Sequence, residues 1–172
     1  MRAGYRFRQG LRALVAWLRP VDDALAHRYL SPALYELYRR MRRSERQHSL
    51  RVLQDLLAAG HTHPDLLTAA LLHDVGKSRV RFTLPEKVLV VLVRAAAPQR
   101  YRAWSQGPAR GWRLPFAVSE QHPAWGADMA AAAGASPLTV TLIRRHAEAL
   151  TGPPRDEAER LLLALQQVDD RN

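Results

Sequence analysis

Apolar residues along the chain recur mostly three and four positions apart, the spacing of helix faces, and no segment alternates as a half-buried strand would. Residues 5–18 carry Tyr5, Phe7, Leu11, Leu14, Val15 and Leu18 with Arg6, Arg8 and Arg12 between them, a basic amphipathic helix that Pro20 stops. A second helix is expected over about 21–30. Ser31-Pro32 supplies an N-cap followed by Pro at the first helical position, which predicts a helix over 32–43. Ser44 and Gln47 read as a capping box opening a helix over 45–58, with Leu50, Leu53, Leu56 and Leu57 as its buried stripe and Gly60 as its end. His63-Pro64-Asp65 restarts the chain into a helix over 64–74, which Gly76 breaks. Pro85 starts a helix over 86–96, although its Val88, Leu89, Val91 and Leu92 would also suit a strand. Residues 97–119, punctuated by Pro98, Gly107, Pro108, Gly111 and Pro115, read as an irregular loop near the site. Further helices are predicted at 123–133, 137–148 and 156–169. The predicted class is all-α, with one compact domain over 44–172 and a basic helical extension over 1–43.

Composition narrows the chemistry. With 47% hydrophobic residues a sizeable core is possible without cross-links. The chain has no Cys, so disulfides and thiolate sites are excluded and any metal must take nitrogen and oxygen ligands. No apolar run reaches the ~18–20 residues that cross a membrane. The N-terminal stretch has Arg among its apolar residues rather than a clean signal sequence, so the expected compartment is the cytoplasm. A net charge of +10 favours anionic partners. Much of the excess lies in residues 1–43, where ten Arg face Asp22, Asp23 and Glu36. That extension could touch an anionic membrane or nucleic acid; the reading adopted is a solvated Arg-rich face whose apolar stripe packs on the domain. The only lysines are Lys77 and Lys87, so a Lys three residues after Asp74 suggests a role.

The chemistry-bearing residues are spread along the chain. The run Leu71-Leu72-His73-Asp74-Val75-Gly76-Lys77 stands between His48 upstream and His122, His146 and Asp169 downstream, at intervals of 25, 49, 24 and 23 residues that match helix or helix-pair lengths. Four imidazoles and two carboxylates suffice to hold two divalent ions inside a helical bundle, and such a pair activates water against phosphorus. Adjacent side chains on a helix diverge by about 100°. At a last turn, with Gly76 releasing the backbone, His73 and Asp74 can lean toward one point. The nitrogen-rich set favours Fe or Mn, then Zn, Co or Ni, over Mg or Ca. His27, His61 and His63 read as surface residues, and Trp17, Trp104, Trp112 and Trp125 as packing rather than base-stacking platforms.

The order His, His-Asp, late Asp over residues 44–172 resembles the HD superfamily of metal-dependent phosphohydrolases, which implies an HD-type helical bundle. His122-Pro123-Ala124-Trp125-Gly126-Ala127 and Arg145-His146-Ala147-Glu148 are similar to stretches of its two-metal branch, which includes HD-GYP cyclic-dinucleotide phosphodiesterases and HD-type diadenosine-tetraphosphate hydrolases. Ala147 stands where HD-GYP proteins have a second His, and Gly152 is followed by Pro153-Pro154 rather than by Tyr-Pro. The resemblance implies a two-metal site of His48, His73, Asp74, His122, His146 and Asp169. It also implies a catalytic role for Asp74 and phosphate contact by Lys77, with Arg144 and Arg145, then Arg79 and Arg81, as further substrate contacts. The expected activity is hydrolysis of a phosphate ester or anhydride in a nucleotide-like small molecule. An HD-fold diiron oxygenase similar to myo-inositol oxygenase, or a nucleotide sensor without turnover, are the alternatives; nucleic acid is not the favoured partner.

Overall fold

The computed structural model of the chain describes residues 21, 23–80 and 83–172. The helix expected over 5–18, and Arg81, lie outside the described residues. Among those described there are nine α-helices, two short 3-10 turns and no strand. The helices are α1 Asp23–Tyr29, α2 Pro32–Arg39, α3 Arg43–Ala58, α4 Pro64–Leu72, α5 Leu84–Ala96, α6 Pro98–Ser105, α7 Leu114–Ala132, α8 Pro137–Arg145 and α9 Glu157–Asp169.

Local chemistry accounts for most boundaries. Ser31 caps α2 by accepting from the Leu34 N–H, as its position before Pro32 predicts. The α3 cap differs from expectation: the Glu45 carboxylate takes the Arg42 N–H, so the helix begins at Arg43 rather than 45. Gly60 ends that helix with φ of 85°, a conformation that costs glycine little. The stretch 97–119 is not the loop its Pro and Gly content suggests. Pro98 and Pro115 sit in the first turns of α6 and α7, where the missing N–H has no helical partner to lose. The helix expected over 123–133 therefore starts at Leu114 and carries Pro123 in its interior.

One core joins α1–α4 to α7, α8 and α9. Ala26, Leu34 and Tyr38 from the first two of these helices are buried with Leu53, Leu66, Leu71, Ala127, Ile143 and Leu165. A smaller cluster of Val90, Tyr101 and Phe116 lies beneath α5 and α6. Two helices, α4 and α8, set the level at which the histidines meet. Each is nine residues long, starts with Pro and ends at a His. At their N-terminal ends the Asp65 carboxylate accepts hydrogen bonds from the Ser136 and Thr139 hydroxyls. At their C-terminal ends the His73 and His146 rings meet with centroids 5.1 Å apart. They therefore run side by side in the same direction, in register.

The loop after α8 is anchored by Glu159, whose carboxylate accepts from the backbone and guanidinium of Arg155 and faces Arg145. The Arg155 hydrogen bonds, side chain first, lower its pKa to about 2. A depressed folded value stabilises the fold above the ordinary carboxyl value of 4.5, and the stabilisation is lost as pH falls through about 2. Glu159→Gln is therefore expected to melt below wild type at neutral pH, with the gap closing between those two values. A gap that stays constant on acidification in thermal unfolding contradicts this.

Candidate metal centre

The ends of α4, α8 and α9, the first turns of α3 and the middle of α7 converge. His48 comes from α3, His73 and Asp74 follow α4, His122 lies in α7, His146 follows α8, and Asp169 ends α9. All six predicted ligands meet in two groups: His48, His73 and Asp169, and Asp74, His122 and His146, with the ligand atoms of each group within 4.8 Å of one another. His48 and Asp169, 121 residues apart in sequence, bring Nε2 and Oδ1 to 2.7 Å. His73 joins the groups, with Nε2 3.4 Å from Asp169 Oδ1 and 3.8 Å from Asp74 Oδ2.

The three buried imidazoles share one device. Nδ1–H of His73 donates to the Ala70 carbonyl at 2.9 Å and that of His146 to Ile143 at 2.7 Å. His122 donates to Val118 and Ser119 at 3.0 and 3.1 Å. A carbonyl only accepts, so each Nδ1 carries a proton and each ring turns its Nε2 into the site. Pro123 enables this for His122. In a regular helix residue 123 would donate to the Ser119 carbonyl; proline has no N–H, and the imidazole takes the freed acceptor.

These nitrogens face one another. Nε2 of His122 lies 3.3 Å from Nε2 of His146 and 3.4 Å from Asp74 Oδ1, and Nε2 of His146 lies 3.8 Å from that same oxygen. Nε2 of His73 is buried with no hydrogen-bond partner. Lone pairs and a carboxylate held this close repel unless a cation lies among them. Ligands around one ion with bonds of ~2.1 Å are spaced by about 3.0–3.4 Å, close to the separations seen. The residues present thus fit divalent ions, with nitrogen and oxygen donors only.

Electrostatics supports the same reading. Burial opposes ionisation of Asp74, but His73, His122 and Lys77 hold it well below the ordinary carboxylate range. Burial likewise opposes ionisation of Asp169, which His48 and His73 hold low. Burial also disfavours a charged His73, yet Asp74 and Asp169 outweigh it and raise its pKa. His146 is pushed down to about 3 by burial first and then by His73 and His122, so protonating it is a poor way to relieve the crowding.

The donors open into a cavity of about 460 Å³, also lined by Lys77, Arg94, Glu148, Gln166 and Asp170. Lys77 Nζ lies 2.7 Å from Asp74 Oδ2. Arg144 and Arg145 are not among the lining residues: Arg144 pairs with Asp128 at an exposed position, and Arg145 pairs with Glu148 and Glu159. Arg79 lies over the Trp125 ring. Sequence reasoning missed Arg94 and Gln166. Gln166 has a signal there, since it stands one turn before Asp169; its amide donates to the carbonyls of His146 and Glu148 and fixes the turn that carries His146. Arg94 has none.

Gly76 has a role other than the helix release expected of it, and its φ is not positive. The backbone turns at Asp74, with φ of −94° and ψ of 1°, which opens a 3-10 turn over Val75–Arg79. Gly76 instead lets α7 pass. A Cβ there would lie 2.0 Å from the His122 carbonyl oxygen and 2.7 Å from the Gly126 nitrogen.

A family model described as HD domain matches residues 46–170. No curated protein and no solved structure matches the chain.

Gly76→Ala should destabilise the fold by about 1–3 kcal/mol or more, because both obstructing atoms are backbone and cannot swing aside. It should also lower metal retention by displacing His122. Denaturant unfolding and metal analysis of the variant check this; wild-type values for both contradict it.

Proposed function

The chain belongs to the HD-domain family, and on that basis we propose that it is a two-metal phosphohydrolase cleaving a phosphate ester or anhydride of a nucleotide-like substrate. The observation that carries the proposal is the pair of three-donor groups opening into one cavity that also holds cationic side chains. His48, His73 and Asp169 would hold one ion, and Asp74, His122 and His146 the other. Fe or Mn suits this nitrogen-rich set best, followed by Zn, Co or Ni. Two divalent ions held there supply a hydroxide nucleophile near neutral pH and a clamp for phosphate oxygens.

The chain's own residues do the rest. Asp74 stays ionised in a buried position, and its two oxygens face different groups: Oδ1 faces His122 and His146, and Oδ2 faces His73 and Lys77. It thereby sets the spacing between them. Lys77 is a compact point charge at the cavity wall, suited to a phosphate oxygen. Arg94 adds a forked donor on another part of the same wall, and the two cations attract an anionic group. A cavity of this size falls within the range of small-molecule sites and accommodates a nucleotide.

The test is a hydrolysis screen of nucleotides and dinucleotides with the metal-loaded protein. Turnover should be lost on chelation and restored by Mn or Fe, absent in Asp74→Asn, and lowered roughly 10²-fold in kcat by Lys77→Ala. Hydrolysis of no member of the panel, read as loss of substrate and appearance of nucleotide or phosphate product, contradicts the proposal. Oxygen consumption with a mixed-valent di-iron signal instead supports the oxygenase alternative.

A further inference from the structure

The helix α5 is apolar on the wrong side. Val88, Leu89, Val91 and Leu92 are between 47% and 66% exposed. At 100° per residue they combine with exposed Ala95 and Ala96 into an uncharged face spanning roughly 160° of the helix. Among the described side chains of this helix only Val90 is buried, against Tyr101 and Phe116, with Val93 packed alongside. A helix that turns its aliphatic side outward marks an interaction surface rather than a core element.

The charge around this face selects its occupant. Residues 83–113 hold six cationic side chains, Lys87, Arg94, Arg100, Arg102, Arg110 and Arg113, and a single carboxylate, Glu86. Lys87 and Arg94 border the apolar face on one side by their helical positions. A second copy of the chain, pairing this face with itself, would bring together two such segments, each with six cations against one carboxylate. The chain's own residues 5–18 carry Arg6, Arg8 and Arg12 and meet the same repulsion. An anionic phospholipid surface complements both parts: acyl chains for the aliphatic face and headgroup phosphates for the cations. At 13 residues, about 20 Å, α5 is too short to cross the ~30 Å hydrocarbon layer, and no helix among the described residues is long and apolar enough to do so.

We propose that the outward face of α5 lies in the interfacial plane of an anionic membrane and docks the protein there. Arg94, which borders that face and also lines the metal-site cavity, places the cavity beside the docked surface. Docking is independent of turnover, so its test does not depend on the proposed activity.

The experiment is co-sedimentation of the full chain with phosphatidylcholine vesicles, with and without phosphatidylglycerol. Wild type should partition onto the phosphatidylglycerol vesicles, not onto phosphatidylcholine alone, and binding should weaken as salt is raised. Val91→Glu/Leu92→Glu should lower the partition coefficient about tenfold or more. A milder Val88→Gln/Leu92→Gln pair should lower it less, with wild-type circular dichroism and melting temperature. No binding by wild type, or equal partition of wild type and the Glu pair, overturns the proposal. A wild-type dimer in sedimentation velocity that the Glu pair dissolves, without vesicle binding, assigns the face to a second copy and overturns it as well.

Discussion

Three buried imidazoles, each tied through Nδ1–H to a carbonyl of its own helix, aim their remaining nitrogens at one another and at two ionised carboxylates. The arrangement is electrostatically unfavourable as it stands. His122 and His146 bring their Nε2 atoms to 3.3 Å, and His73 Nε2 is buried without a hydrogen bond, 3.4 Å from Asp169 Oδ1. A buried polar group without a partner costs on the order of 1–3 kcal/mol, so His73 Nε2 and the facing His122–His146 pair call for a compensating ligand. On His146 a proton is a poor one, because burial first and then the neighbouring rings hold its pKa down at about 3. Divalent cations would satisfy these donors at once.

The helical frame produces that convergence. α4 and α8 are matched in length and joined at their starts by Asp65, so their terminal histidines arrive at the same level. Pro123 releases a carbonyl that orients His122. Gly76 lets the helix carrying His122 lie against the turn that carries Asp74. α9 closes the arrangement, with Asp169 reaching His48 and Gln166 fixing the turn at His146. Apart from Asp169 itself, each of these devices positions a ligand without being one.

Much of this was legible in the sequence. The helical class followed from apolar spacing, and the six residues that the fold brings together stood out as metal-type residues at helix-length intervals. What escaped has physical reasons. Pro98, Pro115 and Pro123 read as breaks, but a proline is neutral in a first turn and tolerated further in when another donor takes the freed carbonyl. Gly76 read as a conformational release, yet its function is steric, and close approach between segments distant in sequence has no local signature. Arg144 and Arg145, expected as further substrate contacts, pair instead with Asp128, Glu148 and Glu159. Arg94 reaches the cavity from a helix with no periodic relation to the ligands. The outward aliphatic face of α5 was equally invisible, because apolar spacing defines the faces of a helix without saying which one is covered.

Whether six side chains grip two ions is decided by elemental analysis of the full chain, purified without chelator. Wild type should carry about two divalent transition-metal ions per chain. His122→Ala/His146→Ala, which keeps the His48, His73 and Asp169 group intact, should carry about one, and Asp74→Ala markedly less than wild type. A wild-type protein that retains none after loading and dialysis, or an Asp74→Ala variant with undiminished content, would refute two-ion binding by these residues.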